Sequence, residues 1–535
     1  MTAGSASVTI TSRTKVNSSD SQSWARLPSP YPLGPLDQLV APFIPVAVVF
    51  IYRQPPNHPP ILPVYKLKDA MGRVLDYYPH LTGRLCIDPE SGTHQINNLG
   101  SGAELLQAEC QSELRDFTTH RDDDEDGEIQ LLKFPRGGND LLAPYEMDLE
   151  SVSNGPVMTI QHTTFACGGV SLGIRVLHTI SDAGGFFKFV SDLAEIYRSL
   201  SAVASSGKDG TVKLEVPPDT KPYLTDFVST ATPDQLIRAK QFKPTVYHLD
   251  PDPDPEQAKA KGEATEDQPE SRSSTPKPDV MPSDVETPKV PVPAPAQAPA
   301  PVANTGRVLR FTHSDLIRIK SLATDPTPAH TPSTSSPEWI STFDALNAFL
   351  HQRIYIARHR LRLLHPHLPA LTYPDLLSPV DIRRYILSPQ YTGNAVFSTY
   401  ASFSPSDLLT CPLYTLARSV HAMTRQSGVT DPGIIKSTIE WMAYHQTSSS
   451  GSKIGNGFRI GNASLMLSQW NKLDMYTLAT FDRGVGPSLV APPFTPISLL
   501  DGLGYYLPTP NRDGGIDVYL SLSDDVWSEL DISVA

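Results

Sequence analysis

Residues 170–197 read VSLGIRVLHTISDAGGFFKFVSDLAEIY. Two periodicities meet inside this stretch. Val170 to Val176 nearly alternate apolar residues, the pattern of a strand with one buried face. Phe186, Val190, Leu193 and Tyr197 then recur at helical spacing, with Leu200 continuing the series. His178, Asp182 and two glycines stand between them, where a strand ends and a turn leads into an amphipathic helix. A rigid strand end can hold a side chain facing a crevice, which makes such positions common seats for catalysis. Upstream, VMTIQHTT (157–164) predicts a partner strand, joined through a Cys-Gly-Gly turn.

The pattern His-x-x-x-Asp occurs three times: His120 with Asp124, His178 with Asp182, and His248 with Asp252. The first lies in RDDDEDGE (121–128), whose consecutive acids repel one another and predict a solvated loop. The third borders residues 251–306, which contain no Leu, Ile, Phe, Tyr or Trp and hold thirteen of the chain's 52 prolines. Such a stretch buries too little apolar surface to offset its ordering entropy, so a mobile, partly extended insert is expected. Context therefore singles out His178.

At 535 residues the chain exceeds one typical core, and two domains are expected. A net charge of −13 argues against a nucleic-acid partner, which wants a basic face. It leaves room for a phosphate-bearing small ligand, which needs only a few local cations. The four cysteines include no C-x-x-C pair, so neither a disulfide scaffold nor a zinc site is expected, nor any other metal site. The first residues lack a signal peptide's basic start and apolar stretch, and no window is long and apolar enough to span a membrane. A cytoplasmic monomer is the expectation. Periodicity predicts further helices over 63–78, 314–323, 342–360 and 524–530, and strands over 307–312 and 516–522.

In this order, the blocks resemble the BAHD acyltransferases, particularly fungal members that acylate secondary metabolites. The resemblance rests on LGPLDQLV (33–40), LKDAMGRVLDYYPHLTGRL (67–85), the His178 block, STFDALNAFLHQR (341–353), and PVDIRRY (379–385) followed by YTGNAV (391–396). The family's second signature, Asp-Phe-Gly-Trp-Gly, is matched by Asp482-Arg483-Gly484-Val485-Gly486, which keeps the aspartate and both glycines. Ala183 stands where the first motif usually has Gly.

The resemblance implies an α/β fold of two chloramphenicol-acetyltransferase-like domains, mixed sheets flanked by helices, with a central channel at their interface. Laid on this sequence, it gives a flexible N-terminus (1–26), a first domain (27–200), a crossover linker (201–250), the proline-rich insert (251–306) and a second domain (307–535). It implies acyl transfer from an acyl-CoA co-substrate, by family habit acetyl-CoA, to a small-molecule alcohol. No permanently bound cofactor is implied. His178 would be the general base, since a neutral imidazole accepts a proton at physiological pH. Asp182 would pair with Arg383 and hold the motif in place. Asp482 would be a turn-former with Gly484 and Gly486, remote from the reacting atoms. Two rival readings stay open: a non-catalytic binding or regulatory relative, and a condensation-domain-like enzyme, against which Leu177 stands where a second histidine is usual.

Overall fold

Val170–Leu177 is a strand buried along its whole length, although its alternation predicts one buried face. The reason is its place in a six-stranded sheet, ordered Val8–Val16, Ala103–Cys110, Met158–Phe165, Val170–Leu177, Pro45–Tyr52 and Leu489–Ala491. On one face Phe186, Phe187 and Phe189 of the helix Ala183–Ser206 join the core, Phe187 edge-on to Phe50. On the other, residue 141 passes so close that a Cβ on Gly173 would lie 1.9 Å from the Leu141 carbonyl. Only glycine fits there. This computed structural model describes residues 7–121, 124–206, 212–250, 304–324, 339–447 and 453–534.

A second mixed sheet orders Asn304–Phe311, Ile516–Ser523, Leu503–Pro508, Leu465–Gln469, Asp375–Asp381 and Val396–Ser402. Its three parallel strands are Asp375–Asp381, Leu465–Gln469 and Leu503–Pro508, with antiparallel neighbours outside them. The long helix Thr342–Leu364 packs on it and buries Leu346, Phe349, Leu350 and Ile354. Ser341 begins that helix with a capping box, its side chain accepting from the Asp344 backbone while Asp344 reaches back to Ser341.

Four expectations are corrected. The N-terminus is not flexible throughout: Val8–Val16 pairs antiparallel with Ala103–Cys110 as an edge strand. Its outward positions are Thr9, Thr11, Arg13 and Lys15, and its inward ones include Ser12 and Thr14, so its hydrophobic signal was weak. The acidic run is not a loop over its described residues: Thr118–Arg121 and Asp124–Ile129 pair antiparallel. There Glu128 takes both terminal nitrogens of Arg310, at 2.8 and 2.5 Å, so charge from the second half supports this acidic strand.

The second-half strand begins at Asn304, three residues inside the expected insert, because Asn304, Thr305 and Gly306 pair with Ser523, Leu522 and Ser521. Finally, the two halves exchange chain. Leu489–Ala491, assigned by sequence to the second domain, adds the last strand to the first sheet beside Pro45–Tyr52. The expected linker also carries the helix Pro233–Gln241 and the short strand His248–Leu249. Asp252 and the remainder of the proline-rich stretch, through residue 303, lie outside the described residues.

Two histidines are sealed in these cores. Burial pushes the pKa of His80 down to about 4 and that of His351 to about 3. The unfolded chain binds protons at both positions below its ordinary value near 6.5, and the folded chain does not. Stability is therefore full above that value and falls as pH drops toward 4, by about 1.4 kcal/mol per pH unit for each histidine. Melting temperature followed from pH 7 to 4.5 should decline steeply. His351→Leu should flatten the decline, and an unchanged slope in that variant would refute the assignment.

Candidate functional site

His178 is half-buried in the turn after Val170–Leu177. Its backbone N–H donates to the Ile44 carbonyl at 2.8 Å, extending the pairing with the neighbouring strand past its last residue. Its ring faces Asn394, with Nδ1 3.1 Å from Asn394 Oδ1. The Asn394 amide nitrogen donates to the His178 carbonyl at 2.8 Å and to Asp37 Oδ1 at 2.7 Å. Asp37 also accepts from the Asn394 backbone at 3.1 Å and from the Gly34 N–H at 2.7 Å. Burial raises the Asp37 pKa to about 7 against the pull of these donors.

Asp182 is turned to a different set of partners. Oδ1 accepts from Arg383 Nη2 at 2.6 Å and from the Gly185 N–H at 3.0 Å, and Oδ2 accepts from the Ala395 N–H at 2.8 Å. The Gly185 bond is an N-cap, satisfying an orphan donor of the helix Ala183–Ser206. Arg383 gives three further hydrogen bonds, to Asp381 and to the Tyr391 and Gly393 carbonyls. Burial would lower its pKa, but Asp182 and Asp381 hold it above the ordinary value. One carboxylate thus ties the His178 turn, the start of the helix and the YTGN loop of the second half together.

The two glycines make this approach feasible. A Cβ at Gly185 would lie 1.9 Å from the Thr392 carbonyl, and one at Gly184 would lie 2.7 Å from Arg383 Nη1. Ser181 Oγ also donates to the Thr392 carbonyl, at 2.7 Å. Ala183 is the first residue of the helix and packs against the first core. Its ordinary helical backbone needs no glycine.

The Asp482 turn packs on the first half. Oδ2 accepts from the Leu62 N–H at 2.8 Å, and Oδ1 is 3.7 Å from Lys66 Nζ, which sits over the Tyr197 ring. Gly484 has φ +79°, the left-handed backbone glycine favours. A Cβ at Gly486 would meet Thr480 Oγ1 at 3.9 Å, an ordinary contact, and Arg483 is exposed. Val485 is buried in the first core. Asp482→Ala should lower stability by about 1–3 kcal/mol, through the orphaned Leu62 N–H, and leave KM unchanged. Thermal melts beside steady-state kinetics check this; a rate loss at unchanged melting temperature would give Asp482 a chemical role.

Among the described residues no group of His, Cys, Asp and Glu could hold a metal ion. Within the same residues no helix is long and apolar enough to cross a membrane. Sequence reading passed over Asp37 and Asn394 as functional candidates. Both stand in blocks it used, LGPLDQLV and YTGNAV, yet nothing along the chain says that they meet His178.

A family model described as "Transferase family" matches residues 6–531. Among curated proteins, hydroxycinnamoyl-CoA:piscidic acid hydroxycinnamoyltransferase of Actaea racemosa is 30% identical over 189 residues, covering 35% of this chain and 39% of that protein. Taxadien-5-alpha-ol O-acetyltransferase of Taxus chinensis is 30% identical over 159 residues, covering 29% and 30%. The matched stretches thus span about a third of these relatives' own length. Among solved structures, vinorine synthase aligns with TM-score 0.60 at 14% identity, over 98% of this chain and 97% of that one. TRI101 of F. sporotrichioides, complexed with coenzyme A and T-2, aligns with TM-score 0.57 at 19% identity, over 93% and 95%. These likenesses establish the fold, two chloramphenicol-acetyltransferase-like α/β domains.

Proposed function

Because the chain belongs to the Transferase family, the BAHD acyltransferases, we propose that it moves an acyl group, most simply acetyl, from coenzyme A to the hydroxyl of a small metabolite, with His178 as general base. The observation that carries this reading is the Asn394 amide. Its nitrogen is committed to the His178 carbonyl and Asp37, so its oxygen faces Nδ1 and calls for a hydrogen there. The Nε2 lone pair is then left for a substrate proton.

Acyl transfer to an alcohol is limited by a poor nucleophile, and a positioned imidazole removes its proton as it attacks. The oxygen adds to the thioester carbonyl, and the tetrahedral oxyanion collapses. The C–S bond breaks, and the thiolate recovers the proton from His178. An acetyl donor is supported by the name of the Taxus relative. A hydroxylated acceptor of the fungal secondary-metabolite kind is supported by the TRI101 neighbour with coenzyme A and T-2.

The test is incubation with acetyl-CoA and a panel of hydroxylated terpenoids, polyketides and alkaloids, reading free thiol and acylated product, with His178→Ala as control. Product that depends on His178 supports the reading. No His178-dependent thiol release across the panel would favour a binding protein on this fold.

A further inference from the structure

We propose that Asp37 and Asn394 are positioning residues for His178, forming with it a buried relay that fixes the imidazole tautomer and offsets the charge it gains. The proposal rests on reading His178 as the general base. Three separate segments supply the relay: the loop at 33–40, the turn after Val170–Leu177 and the YTGN loop of the second half. Asp37 is 2% exposed and Asn394 1%, so water offers neither an alternative partner.

The geometry permits one orientation of the Asn394 amide. Its two N–H bonds have two acceptors, Asp37 Oδ1 and the His178 carbonyl. Flipping it would aim its oxygen at both and its hydrogens at Nδ1. With the oxygen toward His178, Nδ1 must be the protonated nitrogen for the 3.1 Å contact to be favourable. Asp37 accepts at both oxygens, two bonds from Asn394 and one from Gly34, a pattern that suits the carboxylate. The titratable groups near it are Tyr31, His94 and Tyr391, with Asp182 beyond, itself paired with Arg383.

During transfer the hydroxyl proton goes to Nε2 as the C–O bond forms, and it leaves with the thiolate when the C–S bond breaks. In between, the imidazolium strengthens its Nδ1–H bond to the amide oxygen. That polarises the amide N–H toward Asp37, which balances the positive charge through one intervening group. No proton leaves Nδ1, and none reaches Asp37.

Asp37→Asn and Asn394→Ala test the relay beside His178→Ala, together with a nitrogen–proton NMR correlation of His178 in the unsubstituted protein. The spectrum should give the Nδ1–H tautomer. Both relay variants should lose about 10–100-fold in kcat with KM within about threefold, since a mis-set tautomer costs rate and not binding. In Asp37→Asn the kcat/KM profile should change shape between about pH 6 and 8, where the Asp37 carboxyl of the unsubstituted protein changes charge beside His178. A Nε2–H tautomer overturns the relay. So do wild-type kcat and pH profile in both variants while His178→Ala is inactive, an outcome that leaves the general base standing. Activity surviving in His178→Ala overturns the base and the relay together. If Asn394→Ala fails to fold, the spectrum and the near-isosteric Asp37→Asn decide.

Discussion

Replacing His178 with alanine is expected to lower kcat about a thousandfold, with the protein still folded and KM for both substrates nearly unchanged. Positioned general bases contribute 10²–10⁴-fold, and a thousandfold loss corresponds to about 4 kcal/mol of transition-state stabilisation. The fold should tolerate the change for a specific reason. The bond from the His178 backbone to Ile44 and the bond from Asn394 to the His178 carbonyl are main-chain contacts that alanine keeps. The side chain contributes one hydrogen bond, to an amide that remains anchored on Asp37. Steady-state kinetics on the acceptor found by the panel, with a melting curve, check this. Equal kcat in the variant would remove His178 from the chemistry.

Asp182→Ala should instead act on the fold, costing about 3–5 kcal/mol. Arg383 would remain buried without its best-placed carboxylate, and breaking a buried pair from one side carries that penalty. The Gly185 and Ala395 N–H groups would lose their acceptor as well. Against a typical stability of about 5–15 kcal/mol, the result is low soluble yield and a melting temperature lower by about 3–5 °C.

Arg383→Lys should not rescue the pair, since one ammonium cannot reach the four acceptors that the guanidinium fork serves. The double variant Asp182→Ala with Arg383→Ala should be less destabilised than the two single losses summed, because the stranded charge is gone. If Asp182→Ala melts like the unsubstituted protein but is inactive, Asp182 belongs to the chemistry and the structural role is wrong.

Legibility followed distance along the chain. The strand, turn and helix around His178 were readable because each is specified by neighbours within about a dozen residues. The acids at 121–128 misled because their cationic partner, Arg310, stands far away in sequence. Val8–Val16 was missed because an edge strand facing water carries little apolar signal. The crossing of Leu489–Ala491 into the first sheet was invisible for a third reason: a three-residue apolar segment fits a strand anywhere.

By itself, then, the sequence determined an α/β chain with one histidine at a strand end before a glycine-rich helix start, in the block order of an acyltransferase family. Those properties live in local periodicity and in residue types, which the chain states outright. Tertiary structure alone decided which group faces the His178 ring and where the Asp182 carboxylate points. Asn394, which meets Nδ1, stands 216 positions away, and Arg383, which holds Asp182, stands 201 positions away. Hydrogen bonds act over about 3 Å of space, whatever length of chain separates the groups they join.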